Sequence, residues 1–277
     1  MCCTEYTRRE EVRGMAGKWQ ALADRLEREI KQGVYQPGEP LPQILDQVAA
    51  GAGAKATVSR AYQELEAKGL VTSRRGHGTV VRDRSRVRVP LNRFERVLDP
   101  GGTRGPWEAA TAEQGLDGRM EVATPAAETL DAPADVAELL ELAPGTQAVR
   151  RRRRALIGSD VVALQEAWYP LDVAQAASLD RPEKITGGVL AALLAAGLLP
   201  VEADEYVTAE EPTPQQAAQL AIGGRVSVLV IDRVTKDRTG RAIELVRVTG
   251  ASDRLQLVYS PLPLQVRVPR RGRASGS

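Results

Sequence analysis

The sequence predicts an α+β chain in two parts: a small helical head ending in a hairpin, then a larger, mostly antiparallel sheet with helices. Three observations lead there. Apolar residues recur at helical spacing near the start of the chain and at strand spacing through most of the rest. Between Pro37 and Val81 a proline-rich turn, two short helices and a glycine-rich hairpin tip follow in close order. The 277 residues, 43% of them hydrophobic, exceed the usual size of one domain and can fill two cores.

In the head, Trp19, Leu22, Ala23, Leu26 and Ile30 line one face of a helix expected over 18–32, with Asp24, Arg25, Glu27, Arg28 and Glu29 on the other. Gly33 stops it, and Pro37, Gly38, Pro40 and Pro42 stiffen the turn into a second helix, expected over 43–50. Gly51-Ala52-Gly53 is the next turn. Beyond it Val58, Ala61, Tyr62 and Leu65 repeat at i, i+3, i+4 and i+7, so they face the core and turn Lys55, Ala56, Ser59, Arg60 and Gln63 outward. Gly69 ends that helix. Leu70–Thr72 and Thr79–Val81 then make two short strands joined through Arg74, Arg75, Gly76, His77 and Gly78.

This order is that of a winged helix-turn-helix, whose second helix lays its first side chains on base edges in the major groove of double-stranded DNA. Lys55, Ser59 and Arg60 are the candidate reading residues, because Arg and Lys donate to guanine O6 and N7 and a hydroxyl serves either base or phosphate. Thr57 is expected on a phosphate. The tip formed by Arg74, Arg75, Gly76 and His77 is expected to approach the backbone or minor groove. Charge agrees: residues 18–89 hold 13 Lys/Arg against 8 Asp/Glu, whereas residues 90–277 hold 22 against 25. Only the head is basic, as attraction to phosphate requires.

The run from Trp19 through Gly33-Val34-Tyr35-Gln36-Pro37-Gly38, Leu41-Pro42, Thr57-Val58-Ser59-Arg60-Ala61, Gly69-Leu70-Val71 and Gly76-His77-Gly78-Thr79-Val80-Val81 resembles the DNA-binding domain of GntR-family transcription regulators. The resemblance implies an operator-binding head. One departure stands out: the family's Ser-Glu-Arg step after the LP turn, whose Arg touches DNA, is Gln43-Ile44-Leu45 here. Specificity is then expected to fall on Lys55, Ser59, Arg60 and the wing.

Strands of the second part are expected over 120–124, 149–157, 161–169, 201–208, 226–234, 242–249 and 255–259, with helices over 134–142, 188–196 and 214–221. Leu142-Ala143-Pro144-Gly145, the arginine-rich strand after it, the strand from Val161 to Pro170, the helix from Thr186 to Leu198, Ile231-Asp232-Arg233 and Gly240-Arg241-Ala242-Ile243-Glu244 are similar to the UTRA domain of the HutC subfamily. That resemblance implies a chorismate-lyase-like fold that binds a small-molecule effector and forms a homodimer. On the match, Arg153 takes the place of the first family arginine, Ala155 the second and Gln165 the acidic position. Arg153, with backbone amides at Thr186, Gly187 and Gly188, is suited to an anionic effector. Trp107 and Glu108 fall where the family places a loop over the pocket.

The expected divisions are a tail over 1–17, the winged helix-turn-helix over 18–83, a linker over 84–98, the effector domain over 99–266 and a basic tail over 267–277. Met15-Ala16-Gly17 suggests that residues 1–14 extend from an upstream start. No cofactor or metal is expected: His77 is the one histidine and lies in the wing, so His-based catalysis and metal sites lack their groups. Glu108 and Glu166 are the carboxylates an enzyme of this fold would use, and nothing in the sequence pairs them. Adjacent Cys2 and Cys3 cannot staple distant segments, and no apolar run suits a bilayer or a secretory leader, so a cytoplasmic protein without membrane partners is expected. The reading is an effector-released repressor; the alternatives are a ligand-independent DNA-binding or plasmid-maintenance factor and, third, an enzyme.

Overall fold

The computed structural model describes residues 3–74, 76–90, 105–183, 185 and 188–259, with side chains from Gly17 onward. Helix α1 spans Cys3–Lys31, so the expected loose tail is helical from Cys3. Good helix formers and an absence of proline over 3–31 permit this. Helices α2 (Ile44–Ala49) and α3 (Lys55–Ala67) follow, then the hairpin β1 (Val71–Arg74) and β2 (Gly78–Val81). Leu22, Leu26, Val58, Ala61, Leu65, Val71 and Val81 form one core among these elements. Tyr62 locks the turn to α3 by donating its hydroxyl to Pro42 O at 2.6 Å. Burial pushes that hydroxyl's pKa up to about 12.

Strand β3 (Val87–Pro90) lies inside the expected linker and pairs parallel with the last strand, β10 (Leu255–Val258). Val87 and Val89 are buried by that pairing, whereas Arg86 and Arg88 stay exposed. A charged segment with alternate valines is thus half of a strand pair. The partner is too far along the chain for local pattern to announce it.

Next come α4 (Pro106–Ala112), β4 (Gly118–Asp131), α5 (Ala134–Leu139), β5 (Gln147–Ile157), β6 (Asp160–Pro170), α6 (Leu171–Ala176), α7 (Gly188–Ala195), β7 (Pro200–Glu210), α8 (Pro214–Leu220), β8 (Val228–Asp237) and β9 (Ala242–Ala251). Strands β4 to β9 make one six-stranded antiparallel sheet in the order β4-β5-β6-β9-β8-β7. Helices α6 and α7 cover one face through Val149, Tyr169, Val173, Leu179, Leu193 and Val246. The other face takes α5 over Trp168, Val234 and Leu245, and α8 beside Val161, Leu164 and Val230. Strand β7 is the uncovered edge, with Val201, Tyr206 and Val207 exposed.

The head docks on the sheet domain along a seam. At its centre Arg82, 8% exposed, forks onto Asp253 at 2.9 and 3.3 Å and donates to Gly69 O. Arg254, equally buried, donates to Asp83 O and Ser85 O. At one end the Arg225 guanidinium grips Glu64 of α3 at 2.7 and 3.1 Å, and its amide donates to Ala67 O. Backbones meet so closely there that a Cβ on Gly223 would lie 1.9 Å from Glu66 O. At the other end Arg74 of the wing pairs with Asp160, the first residue of β6, at 2.9 Å.

Candidate nucleic-acid interface and effector cavity

Helix α3 presents Lys55, Ala56, Arg60 and Gln63 to solvent, with Ser59 half-buried beside them. Its N-cap, Ala54, offers no side-chain acceptor, so the first-turn amides are left for an external anion. Arg60 is held over the Trp19 ring, 4.6 Å from its centroid. Such a contact is worth ~0.5–1 kcal/mol where solvent reaches it, less than the ~1–3 kcal/mol of a bidentate base contact.

Thr57 is a correction. It is 4% exposed and its methyl sits under Gly53, so it packs the turn instead of facing a phosphate. Its spacing of four from Ala61 and eight from Leu65 carried that signal already. In the wing, Gly76 and His77 are exposed at the tip, and Gly76 and Gly78 adopt φ of +80° and +73°, which side chains disfavour. Arg74 is engaged by Asp160. Arg75 lies outside the described residues.

The arginine run of β5 divides by strand alternation. Arg150 pairs with Glu128 at 2.8 Å and lies 5.5 Å from the Trp168 ring centroid, Arg152 joins the same Glu128 at 3.1 Å, and Arg154 pairs with Glu121. Arg151 and Arg153 point to the opposite face, under α6 and α7. Arg151 is buried and donates to the carbonyls of Leu179, Arg181 and Glu183, pinning the segment after α6. Burial, with Arg153 beside it, holds its pKa below the usual arginine value. Sequence reasoning missed this anchor, although its parity with Arg153 was visible.

Arg153 is half-buried and has no polar partner among the described residues; its cross-strand neighbour is Gln165, whose buried Oε1 also lacks one. The row continues through Val248 and Ile231. Two rows along the same face, Glu244 accepts from Tyr169, Arg233 and Thr235 at 3.0, 3.0 and 3.1 Å. Burial, then the Glu244 charge, keeps the Tyr169 hydroxyl protonated well beyond its ordinary range. This sheet face under α6 and α7 therefore sets one cation and one amide, neither with a polar partner among the described residues, along from a hydrogen-bonded carboxylate.

Other expected ligand groups are placed differently. Trp107 and Glu108 belong to α4, not to a loop: the indole donates to Leu156 O at 3.2 Å and packs with Ala155 and Val162, and the Glu108 carboxylate accepts from Met120 N at 3.0 Å. Both are committed to packing. The Gly188 amide donates to Ile185 O, so it is not an open donor. Thr186 and Gly187 lie outside the described residues. Glu166 sits on the face opposite Gln165, 3.9 Å from Arg150, so it does not converge with Glu108. Among the described residues no cluster of His, Cys, Asp or Glu is placed to hold a metal, and no helix is long and apolar enough to cross a membrane.

The GntR-family profile of bacterial regulatory proteins matches residues 18–81, and the UTRA-domain profile matches 114–256. An HTH-type transcriptional regulator of Streptomyces coelicolor is 32% identical over 248 residues, covering 88% of this chain and 92% of its own. The HTH-type transcriptional regulator GgaR of Escherichia coli K12 is 23% identical over 223 residues, 80% of this chain and 82% of that one. In fold, the chain is similar to PhnF from Mycobacterium smegmatis, with a TM-score of 0.51, 23% identity, and coverage of 86% and 97% of the two chains. With a reading head and a UTRA domain in one chain, the protein belongs to the GntR family and is a DNA-binding transcription regulator with an effector-binding domain.

Proposed function

We propose that the protein is a repressor of the HutC type, which binds a pseudo-palindromic operator as a homodimer and leaves it when an anionic small molecule binds the sheet face under α6 and α7. The observation that carries this reading is the adjacent pair Arg153 and Gln165, half-buried without polar partners among the described residues on a face roofed by helices. A buried polar group without a partner is costly, and an anion with a hydrogen-bonding group beside it supplies both partners. The uncovered edge of β7, with Val201, Tyr206 and Val207 exposed, is the surface on which a second copy is expected to add. Two copies would set two α3 helices about one helical turn of DNA apart. Coupling of ~1–3 kcal/mol between cavity and head shifts operator affinity ~5- to 150-fold, enough for induction.

The test is selection of bound duplex from a random pool, followed by a screen of metabolites for release of that duplex and for thermal stabilisation of the protein. A symmetric motif released by one anion, with no product formed, supports the reading. Turnover of the metabolite would instead mark a catalyst, and tight binding that no metabolite alters would mark a ligand-independent factor.

A further inference from the structure

The seam between head and sheet domain has two unlike halves. Its inner half is buried: Arg82 on Asp253, and Arg254 on the carbonyls of Asp83 and Ser85. Its outer half at the wing is the pair Arg74 and Asp160, with side chains 48% and 33% exposed, and the second oxygen of Asp160 lies 3.8 Å from Arg254. A cleft of about 380 Å³ borders both, lined among others by Thr72, Arg74, Arg82, Asp160 and Arg254. Breaking the inner half strands buried charges; breaking the outer half exposes groups that water already reaches. The wing can therefore lift from Asp160 while the root of the seam stays closed.

Arg74 begins the Arg74-Arg75-Gly76-His77 tip that a winged helix-turn-helix brings to the sugar-phosphate backbone. Its one positive charge is taken by a carboxylate of the other domain. That carboxylate would also stand close to any phosphate the wing approached, adding like-charge repulsion. We propose that Asp160 is a built-in competitor of DNA for Arg74: the docked wing is a restrained state, and operator binding exchanges the Asp160 carboxylate for a backbone phosphate. The inference rests on the operator-binding reading above.

Four proteins decide it: wild type, Asp160→Asn, Arg74→Ala and the double variant, each titrated with the selected duplex over a range of salt concentrations. Asp160→Asn keeps the shape of the side chain and removes its charge. It is expected to tighten binding ~2- to 5-fold at low salt, the range of an exposed ion pair. Its salt dependence should steepen by up to about one phosphate, because no freed carboxylate recaptures a counterion. In the Arg74→Ala background the Asp160→Asn change still loosens the contact with Arg254, but it should not tighten DNA binding. Unchanged or weaker binding by Asp160→Asn overturns the proposal. So does equal tightening with and without Arg74, which would reduce Asp160 to a general negative charge. If wild type binds no duplex from the pool, the repressor reading falls and this inference with it; binding without the Arg74-dependent shift removes this inference alone.

Discussion

Strand β5 and helix α3 both carry outward cations, and they use them in opposite ways. On β5 every arginine of the run except Arg153 is mated: Arg150 and Arg152 with Glu128, Arg154 with Glu121, Arg151 with three carbonyls. On α3, Lys55 has no carboxylate partner among the described residues, and Arg60 rests on an aromatic face. Local carboxylates decide the difference. The β4 strand sets Glu121 and Glu128 across from β5, whereas α3 places its own Glu64 and Glu66 near its far end. A cation left without an anion at home is the one free to meet an anion elsewhere, and by that measure Arg153 stands with Lys55 and Arg60.

The contrast can be tested by removing cations from each region. The largest effect is expected from Arg151→Ala, which strands the carbonyls of Leu179, Arg181 and Glu183: a loss of ~2–4 kcal/mol of stability in urea unfolding, with the UTRA domain affected first. A change below ~1 kcal/mol would mean that solvent or a neighbour replaces the guanidinium. Next is Arg60→Ala, expected to weaken specific DNA binding by ~1–3 kcal/mol and relax one operator position, while stability moves by no more than ~0.5 kcal/mol. Binding every operator mutant as wild type does would remove Arg60 from the reading set.

Acid sharpens the comparison further. The UTRA domain holds several carboxyls below their ordinary range: Glu128 through Arg150, Asp237 through Thr239, and Asp135 and Asp172, where burial pulls upward and Arg247 and Arg241 prevail. Within the head such a shift is resolved at Glu27, through Lys31 and Lys68. A depressed folded-state value gives stability that is present above the unfolded value and lost as pH falls through the folded one. Below about pH 4, therefore, amide exchange should accelerate in the UTRA domain before it does in the head. Simultaneous loosening would show that the seam fails first. The smallest effect belongs to Arg154→Ala, whose exposed pair with Glu121 is worth ~0–1 kcal/mol and should leave both DNA binding and effector response intact.

Much of this was legible in the sequence because it is local. The core positions of α3 are read from the spacing of Val58, Ala61, Tyr62 and Leu65, and all four are buried. The β5–β6 and β8–β9 hairpins follow from Gly158-Ser159 and the Arg238-Thr239-Gly240 turn. Helix α4 was misread as a loop although Gly105, Pro106 and Glu108 spell a helix start, because the resemblance placed a loop there. What local pattern cannot carry is pairing at a distance: β3 with β10, Arg82 with Asp253, Arg74 with Asp160. The candidate site was legible in Arg153 and Gln165, whereas the carbonyls that hold Arg151 lie 28 to 32 residues further along the chain.

The stacking of Arg60 on Trp19 gives the molecule an optical property. The chain has three tryptophans; Trp168 is buried and Trp107 is packed beside β5, so Trp19 is the one whose surroundings would change if Arg60 left its ring for DNA. Removing the guanidinium from above the ring would alter the local field on the indole, so its emission is expected to change on engagement of DNA. Operator binding would then be followed on the unlabelled protein, in real time, by the ring on which Arg60 rests.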